Sequence, residues 1–534
     1  MSAGSPGYDA IVIGAGHNGL VTATYLARAG RRTLVLDRSA EPGGCAATEE
    51  LWPGYRVDIG AHSLGALDRR VVADLGLERA GLEFVEPDPL VAALQQDGPP
   101  LELHRDASKS AEAIRVFSER DAARWPDFVD AMARAARVLA VLYETVPPRV
   151  PGADRGDIWE MVRLGAKLGR IGRAEAIELM RLLPMTVQEL LEEWFESDAL
   201  LGALAARGCH GIAQGPMAAG TAFVLIHGLV GGSGHPRETR WVRGGMGRLG
   251  SVLADVARGA GVEVRLDAPV GAISIEASGG GEPARGAVRG VVLESGEEIV
   301  APVVASSANP RHTLLELVDP AYLDPDIVRQ VRNVRFRGVC AKVHLALDGL
   351  PSLNGRAVSA SMCVAPDIHY LERAYDDAKH GAPSREPYLE VLIPSLLDPD
   401  VSPAGNHVAS ILVQYVPYAL ADGTWDETAR ASLTDSVIAT LDRHLPGLAA
   451  RVAHRHVLTP VDLETRFGLA EGNIHHGEMT LDQVFVGRPI GGWARYATPI
   501  AGLHGCGAGT HPGGGLTGSP GANAAAAILR DGFR

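Results

Sequence analysis

The sequence lacks any apolar run that could cross a membrane, since a spanning helix needs about 20 consecutive apolar residues. The most apolar window covers residues 220–232 and is interrupted by His227 and by glycines. A window this short is typical of a buried core segment, and peripheral contact with a lipid surface is the alternative. We therefore expect a globular chain whose contact with a membrane, if it has one, is peripheral.

Cysteine is also scarce. The five cysteines are scattered along the chain and include no CxxC pair and no cysteine–histidine cluster, so no metal site is expected. They are Cys45, Cys209, Cys340, Cys363 and Cys506. The N-terminal residues contain no basic region followed by an apolar one, as a secretory signal would. Both absences favour a cytoplasmic protein with reduced thiols.

Basic residues are fewer than acidic residues. The chain has 50 Lys and Arg against 64 Asp and Glu, which gives a formal net charge of −14. Binding to a phosphate backbone requires clustered Lys and Arg, so this balance argues against a nucleic-acid partner. The length of 534 residues and the hydrophobic share of 46% are those of a globular protein with two or three structural units.

Glycine, in contrast, is abundant, and its first cluster follows a short apolar run. Residues 8–13 are predicted to form a buried strand, residues 20–29 a helix and residues 33–36 a second strand. A GxGxxG motif joins the first strand to the helix, and an acidic residue ends the second strand, which is typical of a dinucleotide-binding site. Such a site brings backbone N–H groups to the pyrophosphate and a carboxylate to the ribose. The residues predicted to bind there are Gly14, Gly16, His17, Asn18, Gly19, Asp37 and Arg38.

A second glycine pair, Gly43-Gly44, follows soon after this unit and favours FAD over NAD. FAD needs a second backbone-lined loop for its ribityl and pyrophosphate groups, and adjacent glycines allow such a close approach. We expect Gly44 and Cys45 to lie along FAD. Cys45 has no partner for a redox dithiol, because Glu50 stands five positions further on, so it is interpreted as a small residue beside the cofactor.

The middle of the chain predicts a mixed sheet-and-helix domain with a mainly helical insert over residues 112–196. Continuous helices are predicted over residues 128–146 and 177–195, and a further helix over residues 249–260. Strands are predicted over residues 262–266, 270–276, 287–293, 298–307, 339–347, 388–395 and 407–417.

The last glycine cluster lies at residues 505–521 and precedes an alanine-rich segment. Ser519 is predicted to cap a helix that has Pro520 in its first turn and that ends near Asp531. The N-terminus of such a helix carries a partial positive charge. We expect it to point at the pyrimidine edge of the flavin, where negative charge accumulates on reduction.

Taken together, the motifs resemble those of the phytoene-desaturase-like FAD-dependent oxidoreductases. The N-terminal unit, the segments around Gly44 and His62, and the ending GAGTHPGGGLTGSPGANAA carry the resemblance. Residues 472–496 look like the branch of pyridine nucleotide-disulphide oxidoreductase domain proteins. The resemblance implies an α/β fold with a Rossmann-type FAD-binding domain of amine-oxidase-like architecture, assembled from separated segments. That domain would comprise residues 1–75, 240–310 and 485–534, and a mixed α+β substrate-binding domain with the helical insert would comprise residues 76–239 and 311–484.

The resemblance also implies particular cofactor contacts. Gly14, Gly16, Gly19 and Asp37 would hold the ADP half, and Gly44 and Ala61 would lie along the phosphates and ribityl chain. Val270 would meet the adenine through its backbone. The flavin end would be lined by Gly507, Gly509, Gly515, Leu516 and Thr517.

The activity that the resemblance implies is transfer of a hydride from a hydrophobic substrate, polyenes and isoprenoids included, to flavin N5. An amine or amino-acid oxidase, a flavin-dependent isomerase and a non-catalytic FAD-binding protein are the alternatives. The sequence shows no separate NAD(P)-binding domain, so dioxygen or a quinone is expected to reoxidise the flavin.

Candidate acid–base residues are few. His62 and His511 lie in segments expected to touch the flavin and are the first candidates for catalysis. The polar residues just before the last FAD segment, His475, His476 and Glu478, are predicted to form a structural network, and Arg488 is predicted to brace a loop by ion pairing.

Overall fold

The structure is a computed structural model, and it describes residues 7–64, 67–147, 155–277, 286–353 and 355–533. The strands of the described residues are, in chain order, β1 (Ala10–Ile13), β2 (Thr33–Leu36), β3 (Thr48–Trp52), β4 (Tyr55–Asp58), β5 (Phe84–Val85), β6 (Val91–Ala93), β7 (Leu101–Leu103), β8 (Trp241–Val242), β9 (Glu263–Arg265), β10 (Val270–Ala277), β11 (Gly286–Leu293), β12 (Glu298–Val300), β13 (Val303–Ser306), β14 (Cys340–Leu347), β15 (Ser361–Val364), β16 (Tyr388–Leu392), β17 (His407–Gln414), β18 (Val452–Leu458) and β19 (Leu503–Gly505).

The α-helices, in the same order, are α1 (His17–Arg28), α2 (Arg69–Leu75), α3 (Ala107–Arg115), α4 (Glu119–Tyr143), α5 (Arg155–Ile171), α6 (Arg173–Leu182), α7 (Val187–Glu192), α8 (Asp198–Gly208), α9 (Thr221–His227), α10 (Gly247–Gly259), α11 (Pro310–Leu315), α12 (Pro325–Arg332), α13 (Ile368–Lys379), α14 (Glu427–His444), α15 (Pro460–Phe467) and α16 (Ser519–Ala527). The run from α3 to α9 contains no strand among the described residues, as the predicted helical insert requires.

A five-stranded parallel sheet collects strands from distant parts of the chain, in the order β19-β13-β1-β2-β9. Its central strand β1 is buried on both faces, because Ala10 and Val12 pack in one hydrophobic cluster and Ile11 and Ile13 in another. Such burial is typical of a parallel sheet covered by helices or a second layer on each side. The five strands all come from residues 1–75, 240–310 and 485–534. The domain boundaries themselves stay a prediction.

The second large sheet has seven strands in the order β18-β14-β17-β16-β15-β6-β7. Its pairs are antiparallel except for β15 with β6. The sheet and the helical insert share the largest hydrophobic cluster. A smaller antiparallel sheet, β10-β11-β12, packs against the second face of the parallel sheet.

Two predicted elements are divided in the structure. The strand predicted over residues 298–307 is split into β12 and β13, which join different sheets. Pro302 lies at the split, where its missing N–H cannot contribute to a ladder. The helix predicted over residues 177–195 is split into α6 and α7, because Thr186 and Glu189 form a capping box that starts a new helix after Pro184.

The apolar window at residues 220–232 forms the buried helix α9, which confirms the prediction of a core segment. The predicted helix over residues 128–146 instead starts earlier, at Glu119, where the Ser118 side chain accepts a hydrogen bond from the Asp121 N–H. Among the described residues, the structure contains no helix long and apolar enough to span a bilayer.

Candidate active site

The glycine motif between β1 and α1 contains two kinds of glycine. A Cβ on Gly14 would lie 2.2 Å from Ser307 Oγ, and a Cβ on Gly19 would lie 2.0 Å from the Gly14 carbonyl oxygen. Packing therefore requires both glycines. A Cβ on Gly16 would meet no protein atom within 4 Å, so protein packing does not require this glycine. Glycine at position 16 suits the close approach of a ligand to the backbone.

Buried polar atoms without a hydrogen-bond partner surround the start of α1. They include His17 Nε2, Asn18 Oδ1 and His476 Nδ1. Burial, with a smaller effect of His476, lowers the pKa of His17 to about 4, so His17 is neutral near pH 7. Buried polar groups normally have partners, and these groups are placed to meet one at the helix N-terminus.

Asp37 lies beside the same loop. Its carboxylate accepts hydrogen bonds from the Ala15 N–H at 2.5 Å and the Ser39 N–H at 2.8 Å. The Asp37 carbonyl oxygen accepts from the Ala268 N–H at 2.8 Å, which brings the segment leading into Val270 next to the loop. In the described part of the chain, the neighbouring Arg38 makes no such contact with the glycine loop. Its guanidinium instead donates to the Arg466 carbonyl at 3.3 Å.

The second glycine pair packs directly against the first motif. The Gly43 N–H donates to the Ala15 carbonyl at 2.9 Å, and a Cβ on Gly44 would lie 3.3 Å from Gly16 Cα. The Cys45 carbonyl then accepts from the Ala61 N–H at 2.7 Å. The structure therefore brings together the three stretches that the sequence assigned to the cofactor.

Cys45 has the properties of a structural cysteine. Burial raises the pKa of its thiol to about 12, so the thiolate needed for redox exchange is absent near neutral pH. All five cysteines of the chain are free.

Lys342, on strand β14, faces the segment that follows β4. Its Nζ lies 3.5 Å from the Ala61 carbonyl oxygen, and its side chain is 1% exposed. Burial lowers the pKa of Lys342 to about 8, against the opposing effects of Asp58 and Glu390. Burial, and then the charge of Lys342, lowers the pKa of His62 to about 3. The sequence motifs did not indicate this lysine.

Lys342 belongs to a buried polar face of the seven-stranded sheet. Alternate residues of a strand share a face, and in β14 these are Cys340, Lys342 and His344. The register places Gln414 opposite Cys340 and Ser410 opposite His344. We define the polar face by its buried members Cys340, Lys342, His344, Tyr388, Glu390, Ser410 and Gln414. The reverse face is apolar and includes Ala341, Val343, Leu345, Leu389, Val391, Ile411 and Val413.

A charged cluster covers one part of this polar face. Glu390 Oε1 lies 3.4 Å from Arg207 and 3.5 Å from Arg237, and its Oε2 lies 3.6 Å from His210 Nδ1. Burial would raise the pKa of Glu390, but the two guanidiniums hold it well below its usual range. Two guanidiniums therefore face one carboxylate, and the cluster carries excess positive charge.

Several buried polar atoms on the polar face make no hydrogen bond to any described residue of the protein. The atoms without a hydrogen bond include both ring nitrogens of His344 and the hydroxyl of Ser410, and Glu390 Oε2 has only the ion-pair contact with His210. Burial, with a smaller effect of Lys342, lowers the pKa of His344 well below its usual value, so its imidazole is neutral. These atoms fit a polar group of a bound molecule better than an apolar one.

The C-terminal glycine run passes close to the helical insert. A Cβ on Gly507 would lie 2.1 Å from the Ser307 carbonyl oxygen, and one on Gly509 would lie 2.5 Å from Pro310 Cδ, so packing requires both glycines. Gly515 is exposed while the preceding residues 511–514 are buried. Leu516 has a positive φ of 57°, and Thr517 accepts a backbone hydrogen bond from Asp68.

The predicted cap of the last helix is wrong by one residue. Gly518, with φ of 73°, occupies the N-cap position, and α16 starts at Ser519. The Ser519 hydroxyl donates to the Asp68 carboxylate at 2.9 Å and does not cap the helix. After Ala527 the chain continues as a π-helical turn, Ile528–Gly532.

His511 lies in a different environment from His62. Its Nε2 donates to the Leu142 carbonyl at 3.2 Å, and burial lowers its pKa to about 4. Beside it, Tyr143 donates its hydroxyl to His227 Nδ1 at 2.7 Å, and His227 Nε2 donates to the Gly514 carbonyl at 3.1 Å. His511 and His227 thus attach the glycine run to the helical insert, and reasoning from motifs missed His227.

Arg488 and Glu478 are structural. Arg488 is 2% exposed and donates to the backbone carbonyls of His475, Gly477, Glu478, Gln483 and Ala508. Arg488 therefore braces the loop, as predicted, but it does so through hydrogen bonds to backbone carbonyl oxygens. The predicted ion pair is wrong. Glu478 pairs with Arg335 and Arg337, as expected of a structural network.

A sequence profile of flavin containing amine oxidoreductases matches residues 19–529. The chain belongs to the flavin-containing amine oxidoreductase family. It is 35% identical to the rat pyridine nucleotide-disulfide oxidoreductase domain-containing protein 2, over 98% of this chain and 94% of that protein. These findings confirm the predicted branch.

More distant relatives support the same family and fold. The chain is 29% identical to a polypeptide of the limonene dehydrogenase of Castellaniella defragrans, over 98% of this chain and 94% of that polypeptide. It is 25% identical to the lycopene-forming phytoene desaturase of Pantoea ananas, over 97% of this chain and 98% of that protein. An oxidoreductase structure from Methanosarcina mazei has the same fold, with a TM-score of 0.61, 16% identity, and coverage of 98% of this chain and 99% of that one. The resemblance and the α/β fold are confirmed.

As a flavin-containing amine oxidoreductase, the chain uses FAD as its cofactor. The residues fit this group on three observations: the open approach to Gly16, the unpartnered polar atoms at the start of α1, and the contact of Gly44 with Gly16. Gly14, Gly16, His17, Asn18 and Gly19 would hold the ADP half, and Gly44, Cys45, Ala61 and His62 would follow the chain of the cofactor. Within the described residues, no cluster of three or more metal-binding side chains is found.

This flavin-containing amine oxidoreductase contains buried charged residues that sequence motifs did not reveal. Arg207, Arg237 and Glu390 come from separate segments and meet only in the fold, and Lys342 shares the polar face with Glu390. One signal was available, because Lys342 and His344 alternate with apolar residues in a strand that is otherwise hydrophobic. That alternation indicates a strand with one polar face.

Proposed function

We propose that the chain is an FAD-dependent dehydrogenase whose substrate is an isoprenoid or similar lipid-like molecule with a carboxylate end. The observation that carries the proposal is the polar face beside Ala61, with its excess of positive charge at Arg207 and Arg237. Guanidinium pairs are well suited to bind a carboxylate. The isoprenoid part is supported by relatives named limonene dehydrogenase and phytoene desaturase. A wholly hydrocarbon substrate would leave the polar atoms of this face unpartnered.

FAD supplies the hydride acceptor for this reaction. Dehydrogenation also releases a proton from the substrate, and a group with a pKa close to the working pH is the best acceptor. The pKa of Lys342, about 8, meets this requirement, whereas those of His62 and His511, about 3 and 4, lie far below neutral pH. We therefore place the proton acceptor at Lys342 Nζ and assign His62 and His511 to orientation.

The Ala61 carbonyl holds the Lys342 amine in position, and burial of the polar face excludes water. Dioxygen or a quinone is the proposed final electron acceptor.

The test is anaerobic titration of the FAD-loaded protein with three compounds that share one isoprenoid chain and end in a methyl, a carboxylate or an amine. We expect the carboxylate to bleach the visible flavin absorbance fastest. Equal bleaching by the hydrocarbon would refute the polar-end proposal, and bleaching by the amine alone would make the chain an amine oxidase. A rearranged product of unchanged mass would indicate an isomerase, and no reduction by any compound would indicate a non-catalytic FAD-binding protein.

The acceptor is tested on the reduced enzyme from the same titration. Rapid mixing with oxygenated buffer or with a soluble quinone identifies whichever restores the oxidised spectrum at a rate that supports turnover. Failure of both would exclude the proposed acceptors while leaving the substrate result unaffected.

A further inference from the structure

Exposed large apolar side chains are concentrated in one part of the surface. Half of those found among the described residues lie between positions 158 and 180, on α5 and α6. Four of them, Ile158, Trp159, Met161 and Val162, occupy one end of α5, and Trp159 is 62% exposed. The others on the described surface are dispersed, at Val116, Met217, Val300, Leu396, Leu481 and Val486. A cluster of this kind marks an interaction surface.

Helix α5 is apolar on two sides. Leu168 and Ile171 pack against the large hydrophobic cluster and attach the helix to the insert. At 100° per residue, Ile158 and Val162 fall on a different stripe, with Trp159 and Met161 on either side of it. A helix that is apolar toward the protein and toward the outside is suited to lie between a protein core and a second apolar medium.

The charges next to this stripe are positive. Arg163, Lys167 and Arg170 are exposed along α5, and the Arg163 guanidinium lies 5.8 Å from the centre of the Trp159 ring. Between positions 158 and 171 the sequence has a single acidic residue, Glu160, and it pairs with Arg530. This local excess of positive charge occurs in a chain whose net charge is −14.

We propose that α5 docks the protein on an anionic lipid surface, with Ile158, Trp159, Met161 and Val162 entering the interface and Arg163, Lys167 and Arg170 contacting the headgroups. Apolar and aromatic side chains beside Lys and Arg are the combination that binds helices in the plane of a membrane. The buried window at residues 220–232 takes no part in this contact. The proposal does not depend on the substrate or on the reaction.

A second copy of the chain is the competing occupant of this surface. Gly165 and Gly169 lie near the exposed stripe and would permit two helices to approach closely. Such a contact would bring the basic side chains of two α5 helices together, and like charges at an interface oppose association. An anionic lipid surface instead complements them.

The test is flotation of the full-length, FAD-loaded protein with vesicles of phosphatidylcholine alone or mixed with phosphatidylglycerol. We expect binding to the anionic vesicles at low salt, at least about tenfold weaker binding to phosphatidylcholine, and loss of binding at high salt. Two triple variants, Ile158→Ser/Trp159→Ser/Val162→Ser and Arg163→Glu/Lys167→Glu/Arg170→Glu, should each bind at least about tenfold less. The control Val116→Ser/Val300→Ser removes exposed apolar side chains elsewhere and should bind like the wild type.

The flavin spectrum and melting temperature of each variant establish that it is folded. Absence of wild-type binding to anionic vesicles overturns the proposal, as does equal binding by the wild type and both triple variants. Sedimentation velocity distinguishes a lipid surface from a second copy of the chain. If the wild type is a dimer and the apolar triple variant is a monomer, the surface is assigned to a second copy of the chain.

Discussion

The Nζ of Lys342 lies 3.5 Å from the carbonyl oxygen of Ala61, and this contact joins the seven-stranded sheet to the segment that follows β4. Lys342 is one of only four lysines in the sequence, and it is 1% exposed. Because the Ala61 segment also contacts the Gly43–Cys45 loop, the lysine links the seven-stranded sheet to a loop proposed to hold FAD. The proton transfer proposed for the chain depends on Lys342.

Replacing Lys342 tests its role as proton acceptor. A folded-state pKa of about 8 means that the amine is mainly protonated below pH 8 and free to accept a proton above it. We expect the rate of anaerobic flavin reduction in the wild type to rise with pH and to level off above about pH 8. Lys342→Met should slow the reduction by about 100-fold or more and remove this inflection.

Two further variants serve as controls for Lys342. Lys342→Arg keeps the positive charge but cannot accept a proton, so it should be as slow as Lys342→Met. Lys379→Met, at an exposed position, should behave like the wild type. If Lys342→Arg retained the wild-type rate, the charge and not the proton transfer would be the contribution of Lys342.

The two kinds of glycine in the first motif should respond differently to valine. Gly16→Val should weaken FAD binding by about 100-fold or more while leaving the stability of the apoprotein close to that of the wild type, because its Cβ meets no protein atom. Gly19→Val should lower the stability of the apoprotein itself, because its Cβ would lie 2.0 Å from the Gly14 carbonyl oxygen. FAD titration and urea denaturation measure the two effects. A large loss of apoprotein stability in Gly16→Val would contradict this distinction.

Gly515 tests the expected position of the flavin end. It has φ of 108°, and a Cβ there would make only ordinary contacts, at 3.5 Å from His227 Nε2 and 3.8 Å from Thr517 Cγ2. Gly515→Val should therefore act mainly on the cofactor, by releasing FAD or shifting its visible spectrum. Gly296→Val provides the matched control, since Gly296 has φ of 87° with no atom within 4 Å of its Cβ. Normal spectra for both variants would place the flavin elsewhere.

Arg488→Met should destabilise the fold. The substitution leaves several buried carbonyl oxygens without their donor, and each such loss costs about 1–3 kcal/mol. We expect the free energy of unfolding of the FAD-loaded protein to fall by at least about 3 kcal/mol, measured by urea denaturation followed by circular dichroism. Arg329→Met, which removes an exposed arginine, should change it by less than about 1 kcal/mol. A similar small effect for Arg488→Met would show that the carbonyls find other donors.

The sequence by itself determined the cofactor side of this protein. The order of apolar strand, GxGxxG and helix is local, and it therefore predicts the β1–α1 unit, the position of Asp37 and the need for glycine at Gly14 and Gly19. The same local logic located the last helix, although its cap was displaced by one residue because Gly518 adopts a left-handed conformation.

Only the tertiary structure decided the polar face on which the substrate is proposed to bind. The alternation of Lys342 and His344 with apolar residues marks a two-faced strand, but strand register decides that Ser410 and Gln414 share the polar face. The fold also brings together Arg207 of α8, Arg237 of the loop before β8 and Glu390 of β16. These residues are separated by 30 to 183 positions along the chain. Arg488 shows the same dependence, since its sequence suggested an ion pair and the fold instead surrounds it with backbone carbonyl oxygens. Local periodicity carries no information about such distant partners, because long-range packing alone brings them together.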